Sequence, residues 1–249
     1  MPDNKKIYFA SDIHLGYPNH EQSLLREKRF VKWLEEVRST AREIYLLGDI
    51  FDYWYEYKKV VPRGFTRLLG KIAEITDEGI PIHFFTGNHD IWIFDYLPME
   101  TGVTVHHQPV QKTYHGLKYY IAHGDGLGPC DKGYKLLKKI YTSRTLQLMF
   151  SRLHPNFTIW FAHKWSHKSR SLKELASKFE GEEKECLIQY ARDLLTRDHF
   201  DFFIFGHRHI PLDIHLDKNC RFIYLGDWLT HFTYAIIDGE KVELKKYDE

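Results

Sequence analysis

The chain has 249 residues, 43% of them apolar and 28% charged, which excludes a disordered chain and leaves length for one large domain, or a domain with an insertion, around a buried core. Its formal net charge of +1 lacks the overall basicity that marks many nucleic-acid binders. No run approaches the roughly 18 apolar residues of a membrane span.

Met1 to Lys6 run straight into an apolar segment without the long core and small-residue cleavage site of a secretion signal, which predicts a cytoplasmic protein. Short apolar runs then recur, each closed by turn or polar residues. Ile7–Ala10 precedes Ser11-Asp12-Ile13-His14, and Glu43–Leu47 precedes Gly48-Asp49. Ile82–Phe85 precedes Thr86-Gly87-Asn88-His89-Asp90, Tyr119–Ala122 precedes His123-Gly124-Asp125, and Phe202–Phe205 precedes Gly206-His207-Arg208-His209. Such runs read as buried strands. Between them Phe30, Trp33, Leu34 and Val37, then Phe65, Leu68, Leu69 and Ile72, fall at helical i, i+3, i+4, i+7 spacing. The tail reads as short strands at Leu212–Leu216, Arg221–Leu225, Phe232–Ile237 and Val242–Lys245, with a hairpin turn at Asp238-Gly239. The expected fold class is α/β: two sheets packed face to face, helices outside, and polar residues gathered at strand ends.

From Lys132 to Lys178 eleven Lys or Arg residues accompany one acid, Glu174, a local charge of +10. The same stretch carries Phe150, Phe157, Trp160, Phe161 and Trp165. Cations around an apolar face fit an interfacial helical cap that meets acyl chains and anionic groups. A helical subdomain with its own aromatic core fits the same pattern. Cys130, Cys186 and Cys220 form no Cys-x-x-Cys pair, and their odd number fits reduced, buried thiols of an intracellular chain.

Five small motifs stand in order: Asp12-x-His14, Gly48-Asp49-x-x-Asp52, Gly87-Asn88-His89-Asp90, His123-Gly124-Asp125 and Gly206-His207-x-His209. Each alone is an ordinary turn; five that each close an apolar run point to one site. Residues i and i+2 on a strand share a face, so Asp12 with His14, and His207 with His209, can turn to one cation. Carboxylate, amide oxygen and imidazole suit manganese, iron or zinc, with no thiolate to demand a softer ion.

Together the five motifs resemble the calcineurin-like metallophosphoesterase signature. The resemblance implies a sandwich of two mixed β-sheets flanked by helices, with a core over 1–129 and 181–249 and a helical cap over 130–180. It also implies two divalent metal ions, Mn2+ foremost with Zn2+ or Fe as alternatives. Asp12, His14, Asp49 and His209 hold the first and Asp49, Asn88, His123 and His207 the second, for in-line attack on phosphorus. His89 then stands beside the phosphate as donor or proton source. Asp90 is placed to orient His89 and Asp52 to orient a metal ligand, although Asp52 equally suits a helix cap and Asp125 is open in the same way.

Within that superfamily Leu47-Gly48-Asp49-Ile50-Phe51-Asp52-Tyr53-Trp54, His123-Gly124-Asp125-Gly126-Leu127 with Asp131 and Gly133-Tyr134, and Leu225-Gly226-Asp227-Trp228 resemble the UDP-2,3-diacylglucosamine pyrophosphatases of lipid A synthesis. That resemblance implies cleavage of a lipid-linked nucleotide sugar to UMP and an acylated sugar 1-phosphate. It also implies a peripheral place on the cytoplasmic face of the inner membrane, with neither nucleic acid nor an obligate protein as partner. Asn88, His89, Asp131, Tyr134 and His207 are carried over as substrate contacts. The Ser/Asn/Lys cluster of that family's cap falls on Ser166–Ser171, which adds His167 and Arg170. The chain departs from the family where His89 replaces its Arg after the metal-binding Asn, as in ordinary metallophosphoesterases, and this bears on substrate choice.

Two rival readings share the fold. A nuclease or general phosphodiesterase would use a basic, aromatic cap for single strands, but here the positive charge travels with long apolar runs. A non-catalytic scaffold is expected to have eroded ligands, whereas all seven and His89 are present.

Overall fold

The structure, a computed structural model, describes residues 5–130, 132–161, 179 and 181–248. Among the described residues eleven strands form two sheets. In the first, β1 (Lys6–Ala10), β2 (Ala41–Leu47), β3 (Ile82–Phe85) and β4 (Thr104–His106) run parallel, and β10 (Thr233–Asp238) and β11 (Lys241–Lys246) extend it antiparallel beside β1. In the second, β6 (Leu117–Ala122), β7 (Phe202–Phe205) and β9 (Arg221–Leu225) are parallel, flanked by antiparallel β5 (Val110–Tyr114) and β8 (Pro211–His215). These are the two mixed sheets expected. The hairpin turn lies one residue later than the sequence suggests: Asp238 pairs with Lys241 around Gly239-Glu240.

The apolar runs are continuous because both faces of their strands are covered. Ile7, Phe9, Tyr45, Leu47, Phe85, Ile121 and Ile204 fill the space between the sheets. Their alternate neighbours in the first sheet, Tyr8, Ala10, Ile44 and Leu46, turn outward under α1 (His20–Arg38) and α2 (Thr66–Asp77). In the second sheet Tyr120, Ala122, Phe203, Phe205 and Tyr224 turn toward the helix Cys186–Leu195. Phe30, Trp33, Leu34 and Val37 are buried along α1 as their spacing predicts. Phe65 instead precedes α2, as its N-cap at φ 59°.

After β6 the chain enters α4 (Lys132–Tyr141) and α5 (Arg144–Phe150), with further helix over 155–161. We label the short helix Tyr96–Thr101 α3 and the helix Cys186–Leu195 α6. This region rests on an aromatic shelf from the core. The Tyr55 hydroxyl donates to Gln147 O at 2.9 Å, and Trp92 Nε1 donates to Tyr141 O at 2.9 Å. The Tyr57 and Thr158 hydroxyls are hydrogen-bonded, and the Phe150 ring packs on Tyr55 and Trp92. Phe150 is half-buried in that contact, whereas Leu136, Met149, Phe157, Trp160 and Phe161 are exposed. No described helix is long and apolar enough to cross a membrane.

The expectation of three reduced thiols is overturned. Cys130 and Cys186 form a disulfide with Cα atoms 5.9 Å apart, and Cys220 alone is a buried free thiol. The two lie 56 residues apart, so no local spacing announces them; the fold brings the base of α4 against the start of α6.

Candidate metal centre

Asp12 and His14 follow β1, Asp49 follows β2, Asn88 and His89 follow β3, His123 follows β6, and His207 and His209 follow β7. All are therefore at the carboxyl ends of parallel strands, where adjacent strands deliver side chains to one edge of the sandwich. The ligand pairs do not share a face through strand pleating, as the sequence suggests. Asp12, His14, Asp49, His207 and His209 lie beyond the strands at φ 55°, 48°, 52°, 68° and 56°. Non-glycine residues reach this left-handed region rarely and at a cost, and they cluster where function over-determines the backbone.

Among the described residues three clusters result, two of them sharing Asp49; the third is His14, Asp52 and His89. Asp12, His14, Asp49 and His209 bring one ligand atom each within 4.8 Å of one another, and so do Asp49, His123 and His207. In the first, His209 Nε2 lies 3.3 Å from Asp12 Oδ1 and 3.2 Å from His14 Nε2. Asp49 belongs to both. Its Oδ1 accepts the His89 amide at 2.8 Å, while Oδ2 lies 3.8 Å from His14 Nε2 and 3.4 Å from His123 Nε2.

The donor set fits divalent cations on a specific observation. Asp12 Oδ1, Asn88 Oδ1 and His123 Nε2 are buried with no hydrogen-bond partner. The two oxygens are acceptors only. His123 Nδ1 lies 2.6 Å from Leu47 O and must carry a proton to donate to that carbonyl, which leaves Nε2 to present its lone pair. Buried acceptors without donors are costly, and a cation in each cluster that shares Asp49 would satisfy all three. Without a cation the anionic field acts on a proton instead: burial works against charge on His123, but the Asp49 carboxylate overrides it and raises the imidazole to about 10, so a bound cation would take the place of the proton on Nε2. Asp49 is held well below the usual carboxylate range, its burial outweighed by His123 and His89. Space is also matched, since a Cβ on Gly48, itself at φ 81°, would meet His123 Nδ1 at 2.7 Å, and one on Gly206 would meet Asp12 Oδ2 at 2.7 Å.

Outer partners surround these ligand candidates. Asp52 Oδ1 lies 3.7 Å from His14 Nδ1 and 3.8 Å from His89 Nδ1, and Asp52 O accepts from His89 Nδ1 at 3.0 Å. The residue set against the His89 ring is thus Asp52. Asp90 receives backbone amides instead, from Gly87 at 2.7 Å and Ile50 at 2.9 Å, and so staples the loops after β2 and β3 together. Burial and the nearby Asp49 charge raise it to about 7. Tyr134, expected on the substrate, donates its hydroxyl to Asp125 at 2.6 Å; Lys138 Nζ reaches the same carboxylate at 2.7 Å. Asp125 therefore ties α4 to the loop after His123. Asp131, His167 and Arg170 lie outside the described residues.

Three supporting residues escape the motif reading. Asp227 Oδ2 stands 3.5 Å from His209 Nδ1, while its Oδ1 accepts the amides of Leu229, Thr230 and His231. Its signal was present, since Leu225-Gly226-Asp227 closes an apolar run as Leu47-Gly48-Asp49 does. Arg26, buried on α1, donates to the carbonyls of Ile13, His14 and Tyr17 and fixes the loop after β1. Glu185 pairs with Arg208, between the two ligand histidines.

The calcineurin-like phosphoesterase family model matches residues 5–211. The chain is similar to UDP-2,3-diacylglucosamine hydrolase of Porphyromonas gingivalis, 39% identical over 257 residues that cover 98% of each chain. It is 31% identical to the protein of that name from Neisseria meningitidis serogroup A, covering 98% of this chain and all, 100%, of that one. A third, from Edwardsiella ictaluri, is 27% identical over 95% of this chain and 90% of its own.

Proposed function

The chain belongs to the calcineurin-like phosphoesterase family, and from that premise we propose that it is a two-metal hydrolase of UDP-2,3-diacylglucosamine, yielding UMP and 2,3-diacylglucosamine 1-phosphate. The observation that carries the chemistry is the pair of clusters joined through Asp49, with three buried acceptors turned inward. The substrate reading rests on relatives of that name that match nearly the full length of the chain.

Asp12, His14, Asp49 and His209 hold one ion, and Asp49, Asn88, His123 and His207 the other. When bound, such a pair supplies a nucleophile from water at neutral pH and neutralises charge developing on the phosphoryl oxygens. The reaction adds water across one P–O bond of the diphosphate. The protein's own part is positional. The His89 amide fixes one oxygen of Asp49, leaving Oδ2 toward both clusters. Because Nδ1 of His89 donates to a carbonyl, its Nε2 is the atom that faces the substrate, and in the imidazolium form, with a second proton on Nε2, it donates that proton to the departing phosphate oxygen. Manganese is the ion we propose, given an all-oxygen and imidazole donor set.

The region after Cys130 meets the lipid. Lys132, Lys135, Lys139, Arg144 and Arg152 share it with exposed Leu136, Met149, Phe157 and Trp160, a pairing suited to acyl chains and to anionic headgroups at the inner surface of a membrane. We infer a cap over 130–180 and a core of 1–129 and 181–249, in a protein working on the cytoplasmic side. The test is incubation with Mn2+ and either UDP-2,3-diacylglucosamine or an oligonucleotide, read by mass spectrometry. UMP release from the first is expected; nucleotides released from the second alone would defeat the lipid reading.

A further inference from the structure

We propose that Arg208, gripped by Glu185, is a positioning residue that braces the turn presenting His207 to the cluster of Asp49 and His123; the inference rests on the two-metal reading above.

The turn needs a brace. The Arg208 amide donates to Gly206 O at 2.8 Å, which closes a three-residue turn around His207 at φ 68°. A γ-turn with positive φ at its centre is the rare, strained form. Strain of this kind survives only where the surroundings over-determine it. Two of its anchors return to the metal centre itself: Gly206 N donates to His123 O at 3.0 Å, and His207 N donates to Asp12 Oδ2 at 2.9 Å. The third leaves it. Arg208 Nη2 and Nε donate to the two oxygens of Glu185 at 2.7 and 2.9 Å, the planar two-point geometry that only a guanidinium provides.

Glu185 is itself a fixed post. It is 3% exposed, occupies the N-cap position of α6, and accepts the Tyr224 hydroxyl of β9 at 3.1 Å. The next residue, Cys186, carries the disulfide to Cys130. The two histidines of one motif thus lean on different carboxylates, His209 on Asp227 and His207, through Arg208, on Glu185. Glu185 is buried and Arg208 partly exposed, so desolvation offsets much of the attraction and the value of the pair lies in where it holds the turn.

Binding of Mn2+ to chelator-stripped protein, followed by calorimetry, tests this without reference to turnover. Wild type is expected to take two ions. Arg208→Ala and Glu185→Gln should weaken one of the two sites about 10- to 100-fold and leave the other within about twofold, with Arg208→Lys in between because it keeps charge without the fork. Asp227→Asn should weaken the opposite site. Should Arg208→Ala fail to fold, the paired change Glu185→Leu with Arg208→Met removes both charges and gives the same reading. Two unaltered sites in folded variants, or equal loss at both, overturn the inference alone. Wild type that binds no ion removes the two-metal reading and this inference together.

Discussion

His89 Nδ1 donates to the carbonyl oxygen of Asp52 at 3.0 Å, and a carbonyl can only accept, so the tautomer of His89 is set by the backbone. On the proposed mechanism Nε2 is the nitrogen that acts on the substrate. His89→Ala should keep both metal ions, because neither cluster that shares Asp49 includes the His89 ring, and should lose about 10²- to 10⁴-fold in turnover. Metal content by mass spectrometry beside turnover number checks this. Full activity in the variant would remove His89 from the mechanism.

Away from the site, Glu43 joins the two sheets. Its Oε2 accepts the hydroxyls of Tyr114 at 2.7 Å and Tyr45 at 2.9 Å, and His83 Nε2 lies 3.3 Å away. His83 first, then Tyr114 and Tyr45, hold the carboxyl down to about 2 against the effect of burial. A depressed folded-state value means stability that is complete above the ordinary carboxyl range and is lost as pH falls through about 2. Glu43→Gln should therefore cost on the order of 1–2 kcal/mol near neutral pH, allowing for partial exposure. Urea unfolding should show that gap closing in acid; an unchanged gap would assign the effect to shape rather than charge.

Cys130 and Cys186 should be protected from alkylation in unfolded, unreduced protein, leaving Cys220 as the labelled thiol. Reduction should release both and lower stability by about 4 kcal/mol in a chain-entropy account. Labelling of all three cysteines before reduction would show that the bond does not form.

The candidate ligand residues are legible in the sequence because each closes an apolar run, and a parallel sheet buried on both faces turns such runs into strands that end at one edge. What one sequence hides is what depends on contacts between distant segments. Asp90 looks like a partner for its neighbour His89, yet its carboxylate receives the amides of Gly87 and Ile50. Tyr134, carried over as a substrate contact, also holds Asp125, a tie that no motif announces. The left-handed backbone at Asp12 and His207 is equally invisible, since strand periodicity predicts a shared face by a different route. The Glu185–Arg208 pair spans 23 residues, beyond any motif.

The central claim is that Asp49 is shared by two cations. Crystals grown with Mn2+ and measured at its absorption edge should show two anomalous peaks, one within bonding reach of Asp12, His14 and His209, the other of Asn88, His123 and His207, both contacting Asp49. A single peak, or none beside Asp49, would contradict the account.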